Sequence, residues 1–393
     1  MRDVIHSQIL KSIYFAQSQS IAEISNSIGK SIPIVTKAVQ QLLKENIILT
    51  NGLKASTGGR RANSYILNKE AFGAILCINI NRYSILFSLY NIANEEIIKP
   101  TEIEIDGLSD EDIYKHIIEQ SRHIIENYSQ TILCISITAP GFVDSLLRVN
   151  NSYPITSPLY NLANRMQEVF GTPTYIENDS SAIAIAEKNF SDVKNLKHVL
   201  VINLTWGVGL GILVDNQLFR GSNGYAGEFS HIPLANESKL CSCGKKGCIE
   251  VEASLESAID YIDECLTAGE VSLMSQNFNS QHKTRTLKNL VRSYQAGDQL
   301  SIHAIKRIGY MLGKGIATLI HILNPNAVII SGIGAVFGRI LLPEIQSAIQ
   351  IYCIPRLAQP TTIKISTTPN IEPIAAVSIA VLQSKSLIKT KYK

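Results

Sequence analysis

A two-lobed α/β body behind a small winged helix-turn-helix is the fold class predicted by this 393-residue sequence. Three observations carry it. Two short amphipathic segments followed by two strand-like runs fill residues 1–68. Strands alternate with helices from Phe72 onward, and the same grammar starts again near residue 199. The length is a prior for two or three domains, and 45% hydrophobic with 18% charged residues is ordinary globular composition, which excludes extensive disorder.

In "SIAEISNSIG" (20–29), Ile21, Ile24 and Ile28 fall at helical spacing; Ser20 and Glu23 have the spacing of a capping box, and Gly29 is a stop. "SIPIVTKAVQQLLKENIIL" (31–49) repeats the pattern with Val35, Val39, Leu42 and Leu43, Ser31 as N-cap and Pro33 in the first turn. "VIHSQILKSIYFA" (4–16) supplies a supporting first helix. The outward side of the second helix carries Thr36, Lys37, Gln40 and Gln41, residue types that reach phosphates and base edges.

"IILTNGLKASTGGRRANSYIL" (47–67) then predicts a strand, a turn at Asn51-Gly52, a polar tip and a second strand, which is a wing. Gly58 and Gly59 let the backbone approach a surface, and Arg60 and Arg61 suit a narrow minor groove. Residues 1–64 hold eight Lys and Arg against three acids, a net +5, so the rest of the chain carries −2 of the overall +3. A basic head on a slightly acidic body points to double-stranded DNA as partner. The alternative is a three-helix bundle packed on a neighbour with both arginines in solvent. The coincidence of helix pair, wing and local charge favours DNA.

The body begins with strand-like runs at 73–80 and 84–92, a third at 95–105, an amphipathic helix at 110–128 and a buried strand at 131–141. "TYIENDSSAIAIAEK" (174–188) reads as strand, acidic turn and alanine-rich helix. "VLVINLTWGVGLGILV" (199–214) is too short for a membrane span and reads as strand, glycine turn, strand. A long helix at 303–325 and a buried strand at 327–334 follow, and 266–300 read as helices with a polar connection to which no chemistry is assigned. The N-terminus shows no signal peptide, and Cys77, Cys134, Cys265 and Cys353 sit singly in apolar runs, so a reducing cytoplasm is expected and a membrane is not.

Three cysteines and a histidine crowd into "GEFSHIPLANESKLCSCGKKGCIE" (227–250). His231, Cys241, Cys243 and Cys248 are the ligand set of a closed, structural Zn²⁺ site, and Gly244 and Gly247 allow the tight turns that aim three thiolates at one metal. Disulfide pairing would leave one cysteine over. Buried unliganded thiols fit poorly with Ser242, Lys245 and Lys246 in the same loop. Cys₃His fills a tetrahedron, so the metal clamps the loop and has no position open for catalysis.

The order TAPG, END, GVGLG, AGEFSH, C-x-C-G-x-x-G-C-x-E and LNP…SGIG resembles the ROK family of sugar kinases and sugar-responsive repressors, over essentially the whole chain. The resemblance implies an actin-like (ribonuclease H-like) two-lobed ATPase fold, a sugar site between the lobes, a structural zinc, and dimers or tetramers. It divides the chain into a winged helix at 1–68, a first lobe at 69–178 completed by 372–393, and a second lobe at 179–371 with the zinc loop at 227–250 and the dimerisation surface. It also implies that Asn178, Asp179, Glu228, His231 and Glu250 contact sugar hydroxyls. Carboxylates and an amide suit a polyol. Helix capping is the alternative role for Asp179, and an exposed helix position is the alternative for Glu250.

Asp179 also matches the family's catalytic base. Kinases of the family end their first strand Asp-x-Gly-Gly-Thr; here the place reads Asn79-Ile80-Asn81-Arg82-Tyr83, and Trp206 crowds the second glycine turn. A phosphate-binding loop with its carboxylate and both glycines replaced speaks against a kinase, although Arg82 could pair with the phosphate of a sugar phosphate. The expectation is therefore a transcriptional repressor of carbohydrate-utilisation genes, without an enzyme activity, whose operator binding responds to a sugar or sugar phosphate.

Overall fold

The computed structural model describes residues 2–53, 62–236, 238–276, 278–279 and 282–384. The chain opens with α1 (Arg2–Ala16), β1 (Gln19–Ser20), α2 (Ile21–Ile28), α3 (Ile32–Lys44), β2 (Ile48–Leu53) and β3 (Asn63–Leu67). The three strands form a sheet in the order β1-β3-β2. Ser20 and Glu23 close the capping box in both directions, and Gly29 ends α2 in the left-handed region at φ 64°. At α3 the expected cap is weaker. Ser31 occupies the N-cap position but its side chain makes no capping bond.

The expected turn at Asn51-Gly52 is not a turn. Thr50 pairs with Tyr65 and Leu53 with Asn63, so β2 advances three residues while β3 advances two. Asn51 and Gly52 form a bulge inside the strand, with Gly52 at φ 70°. The asparagine-glycine pair delivers a positive φ in either setting, which is why the sequence could not separate them. Gly58, Gly59, Arg60 and Arg61 lie outside the described residues.

The body contains two five-stranded sheets. The first uses β4 (Ala74–Ile80), β5 (Ser84–Tyr90), β6 (Glu96–Glu104), β7 (Ile132–Ala139) and, after the short hairpin β8 (Val143–Asp144) and β9 (Val149–Asn150), β10 (Thr174–Asn178). Helices α4 (Asp110–Asn127) and α5 (Leu162–Phe170) cover one of its faces, and α6 (Asp179–Phe190) follows it. The second uses β11 (Val199–Leu204), β12 (Val208–Val214), β13 (Gln217–Leu218), β14 (Ala327–Ser331) and β15 (Thr362–Ile365). Around it lie α7 (Glu250–Ala253), α8 (Leu255–Thr267), α9 (Lys283–Gln295), α10 (Gln299–Leu323), α11 (Gly338–Tyr352) and α12 (Pro355–Ala358), and α13 (Ile371–Gln383) ends the described chain.

Strand orders are β10-β7-β4-β5-β6 and β13-β12-β11-β14-β15. In both, the first three strands form an antiparallel meander, the fourth joins in parallel beside the first, and the fifth in parallel beside the fourth. The second half thus repeats the topology of the first, as the sequence pattern anticipates. Among the described residues no helix is long and apolar enough to cross a membrane.

Two helices exchange places between the sheets. α6 leaves the first sheet and packs on β11 and β12 of the second, while α13 leaves the second and packs on β4, β7 and β10 of the first. They also pack on each other. Alanines at 182, 184, 186, 375, 376 and 380 allow this, all of them buried, and a side chain at Gly209 or Gly211 would collide with Ser180 or Ala184 of α6. Gly209 and Gly211 of the GVGLG run therefore serve helix-on-strand contact in this chain. α1 packs against both exchanged helices, and its Ile9, Leu10, Ile13 and Tyr14 share one apolar core with Ile75, Tyr90, Ala376 and Val381.

Glu372 stands in the first turn of α13, half-buried. Burial first, then the charge of Asp179, pushes its carboxyl up to about 7, against a hydrogen bond with Asn81. A carboxyl whose value is raised on folding withdraws stability as pH climbs through the interval between its ordinary value and the raised one. Glu372→Gln is therefore expected to raise the melting temperature at pH ~8 by roughly a few degrees and to change it little at pH ~5. Thermal unfolding of both proteins across that range checks the sign.

Candidate functional site

A cavity of about 290 Å³ opens between the lobes and is lined by all five residues expected to meet a sugar: Asn178, Asp179, Glu228, His231 and Glu250. Two come from the junction of β10 and α6, where a parallel strand ends and a helix begins. Asn178 is the N-cap of α6, its Oδ1 accepting from the Ser181 backbone N–H at 3.0 Å and its Nδ2 donating to the Gly141 carbonyl at 3.1 Å. Capping thus falls to Asn178, and Asp179 is left to face the cavity.

Asp179 Oδ1 accepts from the Ser180 N–H at 2.7 Å, and Oδ2 accepts from Asn203 Nδ2 at 3.2 Å. Burial nevertheless raises its carboxyl above the ordinary value, these bonds opposing the shift. Glu228 is likewise raised, by burial first and then by the charges of Glu250 and Asp179, with His231 acting the other way. Glu250 begins α7 and accepts from the Val208 N–H at 3.4 Å. A Cβ on Gly207 would stand 2.9 Å from Glu250 Oε2, so a larger residue there would push that carboxylate away from its present position.

The two ring nitrogens of His231 face different neighbours. Nδ1 lies 3.6 Å from Cys241 Sγ, while Nε2 lies 3.7 Å from Glu228 Oε2 on the cavity side. His231, Cys241, Cys243 and Cys248 present donor atoms all within 4.8 Å of one another, a group that can hold a metal ion. All seven cysteines are free, and Cys243 and Cys248 stand 3.6 Å apart, far beyond the ~2.05 Å of a disulfide. Gly244 and Gly247, at φ 82° and 75°, make the loop's tight turns. Burial and the neighbouring thiols push Cys248 up to about 12, whereas the Lys245 backbone N–H draws Cys243 down. Held together as thiolates, three sulfurs this close would need a cation between them.

The end of the cleft where the family resemblance would put a phosphate loop is filled by side chains. Asn79, standing where family kinases have a carboxylate, donates from Nδ2 to Thr138 Oγ1 at 2.8 Å and to the Glu372 carbonyl at 2.9 Å. An aspartate could donate neither bond. Arg82 pairs with Glu256 at 2.6 Å, so the cation expected to be available to a phosphate is engaged across the cleft. Tyr83 donates to the same carboxylate and packs edge-on against Trp206, ring centroids 4.8 Å apart. At the opposite rim, Phe142 meets Tyr225 edge-on at 5.1 Å, and Asn151 Nδ2 donates to the Tyr225 hydroxyl at 2.7 Å. Sequence reasoning passed over Glu256, Phe142 and Tyr225 because isolated aromatic and acidic residues carry no spacing signal.

On the winged helix, Lys37 and Gln40 are exposed as expected. Thr36 and Gln41 are half-buried, Thr36 bonding back to the Ile32 carbonyl and Gln41 to Glu45. Ile32 and Ile34 at the start of α3 are 55% and 45% exposed. An apolar side chain at that end of such a helix suits the methyl group of thymine.

The ROK family profile matches residues 75–375. The chain is 28% identical over 348 residues to the xylose repressor of Caldicellulosiruptor bescii, covering 87% of this chain and 86% of that one. It is 26% identical over 321 residues to the DNA-binding transcriptional dual regulator NagC of Escherichia coli, covering 80% and 77%. The crystal structure of a ROK family transcriptional regulator, a homologue of the E. coli MLC protein, superposes with a TM-score of 0.76 at 24% identity and covers 98% of both chains.

If the four-donor cluster binds an ion, elemental analysis of the purified chain will find about one metal equivalent per chain, and Cys248→Ser will lose it. The loss is expected to lower stability by several kcal/mol, because binding energy at such a site is folding energy. Metal-free wild-type protein of unchanged melting temperature would contradict this.

Proposed function

The chain belongs to the ROK family, and on that footing we propose that it is a DNA-binding transcriptional regulator, a repressor of carbohydrate-utilisation genes released from its operator by a sugar held in the cleft. One observation carries the reading. α6 has Asp179 in the cavity at one end and, at the other, Phe190 against the winged helix, its ring 5.5 Å from Tyr14 and 6.4 Å from Phe15. Twelve residues at 1.5 Å each make a rod of about 18 Å between ligand and reader.

The carboxylates Asp179, Glu228 and Glu250 with His231 Nε2 offer a sugar convergent acceptors and one switchable donor or acceptor, and Asn178 holds the strand-to-helix junction that aims them. The ion behind His231 is read as structural Zn²⁺. Three thiolates and an imidazole are its usual closed set, and the 3.6 Å sulfur–sulfur spacing agrees with the ~3.8 Å edge of a tetrahedron of Zn–S bonds of about 2.3 Å. It would fix the loop between Gly227 and Glu250, and through His231 Nδ1 fix which nitrogen faces the sugar.

Closure of the lobes on a sugar would move α6, anchored in the second lobe by Glu187 on Ser331, relative to α1, which shares its core with the first. In a homodimer or homotetramer that motion changes the spacing of two winged helices, and half-sites one helical turn apart tolerate little misplacement. Lys37, Gln40 and the wing arginines Arg60 and Arg61 are assigned to operator DNA. A sugar kinase is the second reading, since Asp179 stands at the family's base position. The engaged Arg82, Tyr83, Glu256 and Trp206, where phosphates would enter, favour the regulator.

Selection of genomic DNA fragments on the purified chain is expected to enrich specific sequences, lose them with Arg60→Ala/Arg61→Ala, and release them with one sugar of a panel. No enrichment at moderate salt would remove the DNA-binding reading, and sugar-dependent ADP production would restore the kinase. Phe190→Leu, which keeps apolar volume but not the ring contacts, is expected to keep operator affinity while weakening sugar release about 5-fold or more. Titrating operator complexes of both proteins with the sugar measures it.

A further inference from the structure

The three features of the cleft that would welcome an anion are each already met by a group of the protein itself. The N-terminus of α6 is capped by Asn178, and the Ser180 N–H behind it bonds Asp179. The glycine turn's Val208 N–H is taken by Glu250. Arg82 pairs with Glu256 and lies over the Tyr83 ring at 5.5 Å. The other basic side chain of the lining, His231, faces Glu228.

The charged groups that remain turned toward a ligand are the carboxylates of Asp179, Glu228 and Glu250. Ionised carboxylates accept and never donate, and a phosphate ester at neutral pH offers oxygens that accept as well. Sugar hydroxyls can donate to all three. A phosphate beside Asp179, Glu228 and Glu250 would meet like charge without an available cation, in a site between lobes where charges are poorly screened.

Resting on the sugar-binding reading above, we propose that the cleft selects an uncharged sugar and discriminates against the phosphate ester of the same sugar. Binding energy comes from hydroxyl donors meeting protein carboxylates, and the positions where a phosphate would find compensation are occupied from within. The effector is then the imported sugar before phosphorylation, and any reaction that phosphorylates it removes the signal.

Trp206 is the single tryptophan of the chain and lines the cavity, so its fluorescence reports on the site. The full chain would be titrated with free aldopentoses, aldohexoses and N-acetylhexosamines and with their phosphate esters, with calorimetry alongside for any ligand that leaves the fluorescence unchanged. The expected result is saturable binding of at least one free sugar, with its ester at least ~10-fold weaker, which is about 1.4 kcal/mol. An ester that binds as tightly as the free sugar, or more tightly, overturns the inference and leaves the sugar-binding reading standing. No binding of any sugar or ester by either method overturns that reading, and the inference with it.

Discussion

The exchange of α6 and α13 between the two sheets is the constraint on which the rest of the molecule depends. Each helix is covalently continuous with one lobe and buried against the other, so neither lobe can complete its core alone. Close contact between the two requires small residues at every crossing point. That demand accounts for the alanines of both helices and for Gly209 and Gly211 on the strand beneath α6. The cavity forms at the same junction, since the N-terminus of α6 supplies Asn178 and Asp179. The winged helix rests on it too, through Tyr14 and Phe15.

Buried charge fixes how this junction is held. Glu177, fully buried one residue before Asn178, receives both terminal nitrogens of Arg220, at 3.0 and 2.6 Å, and Arg220 begins the segment that leads to Glu228. Gln383 at the end of α13 donates to the Ile176 carbonyl beside it. This ion pair, with Glu177 fully buried and Arg220 half-buried, thus ties the strand of Asn178, the approach to Glu228 and the end of α13. Removing Arg220 would leave Glu177 as an uncompensated buried charge, a cost of about 3–5 kcal/mol, whereas the exposed pair Lys69–Glu95 contributes little.

Much of this was legible in the sequence, for physical reasons that differ by residue. The capping box at Ser20 and Glu23, the left-handed stop at Gly29 and the four-donor cluster are local, since their meaning is fixed by spacing along one segment. The sugar-site positions were legible only by resemblance, because nothing in the spacing of Asn178, Glu228 and Glu250 foretells that they meet. What the sequence hid was pairwise and distant. Arg82 looked available to a phosphate because Glu256 lies 174 positions away. Asn51-Gly52 could serve a turn or a bulge, and only pairing with β3 decides between them.

The pairing of Arg82 and Tyr83 with Glu256 and Trp206 also changes what ligand binding can accomplish. A kinase spends the closure of its cleft on assembling a phosphate site, so that binding energy appears in the transition state. Here that part of the cleft is already assembled, by contacts reaching from the β4–β5 turn to the β11–β12 turn and α8. Energy released when a sugar joins the lobes has no phosphate to position. It can only bias one arrangement of the lobes over another, by as much as the sugar's affinity differs between them. On the proposed reading, a cleft that keeps Asp179, Glu228 and Glu250 and fills the place of the kinases' phosphate loop with its own side chains has kept the half of the machinery that shifts an equilibrium. α6 would then carry that shift to Tyr14 and the winged helix.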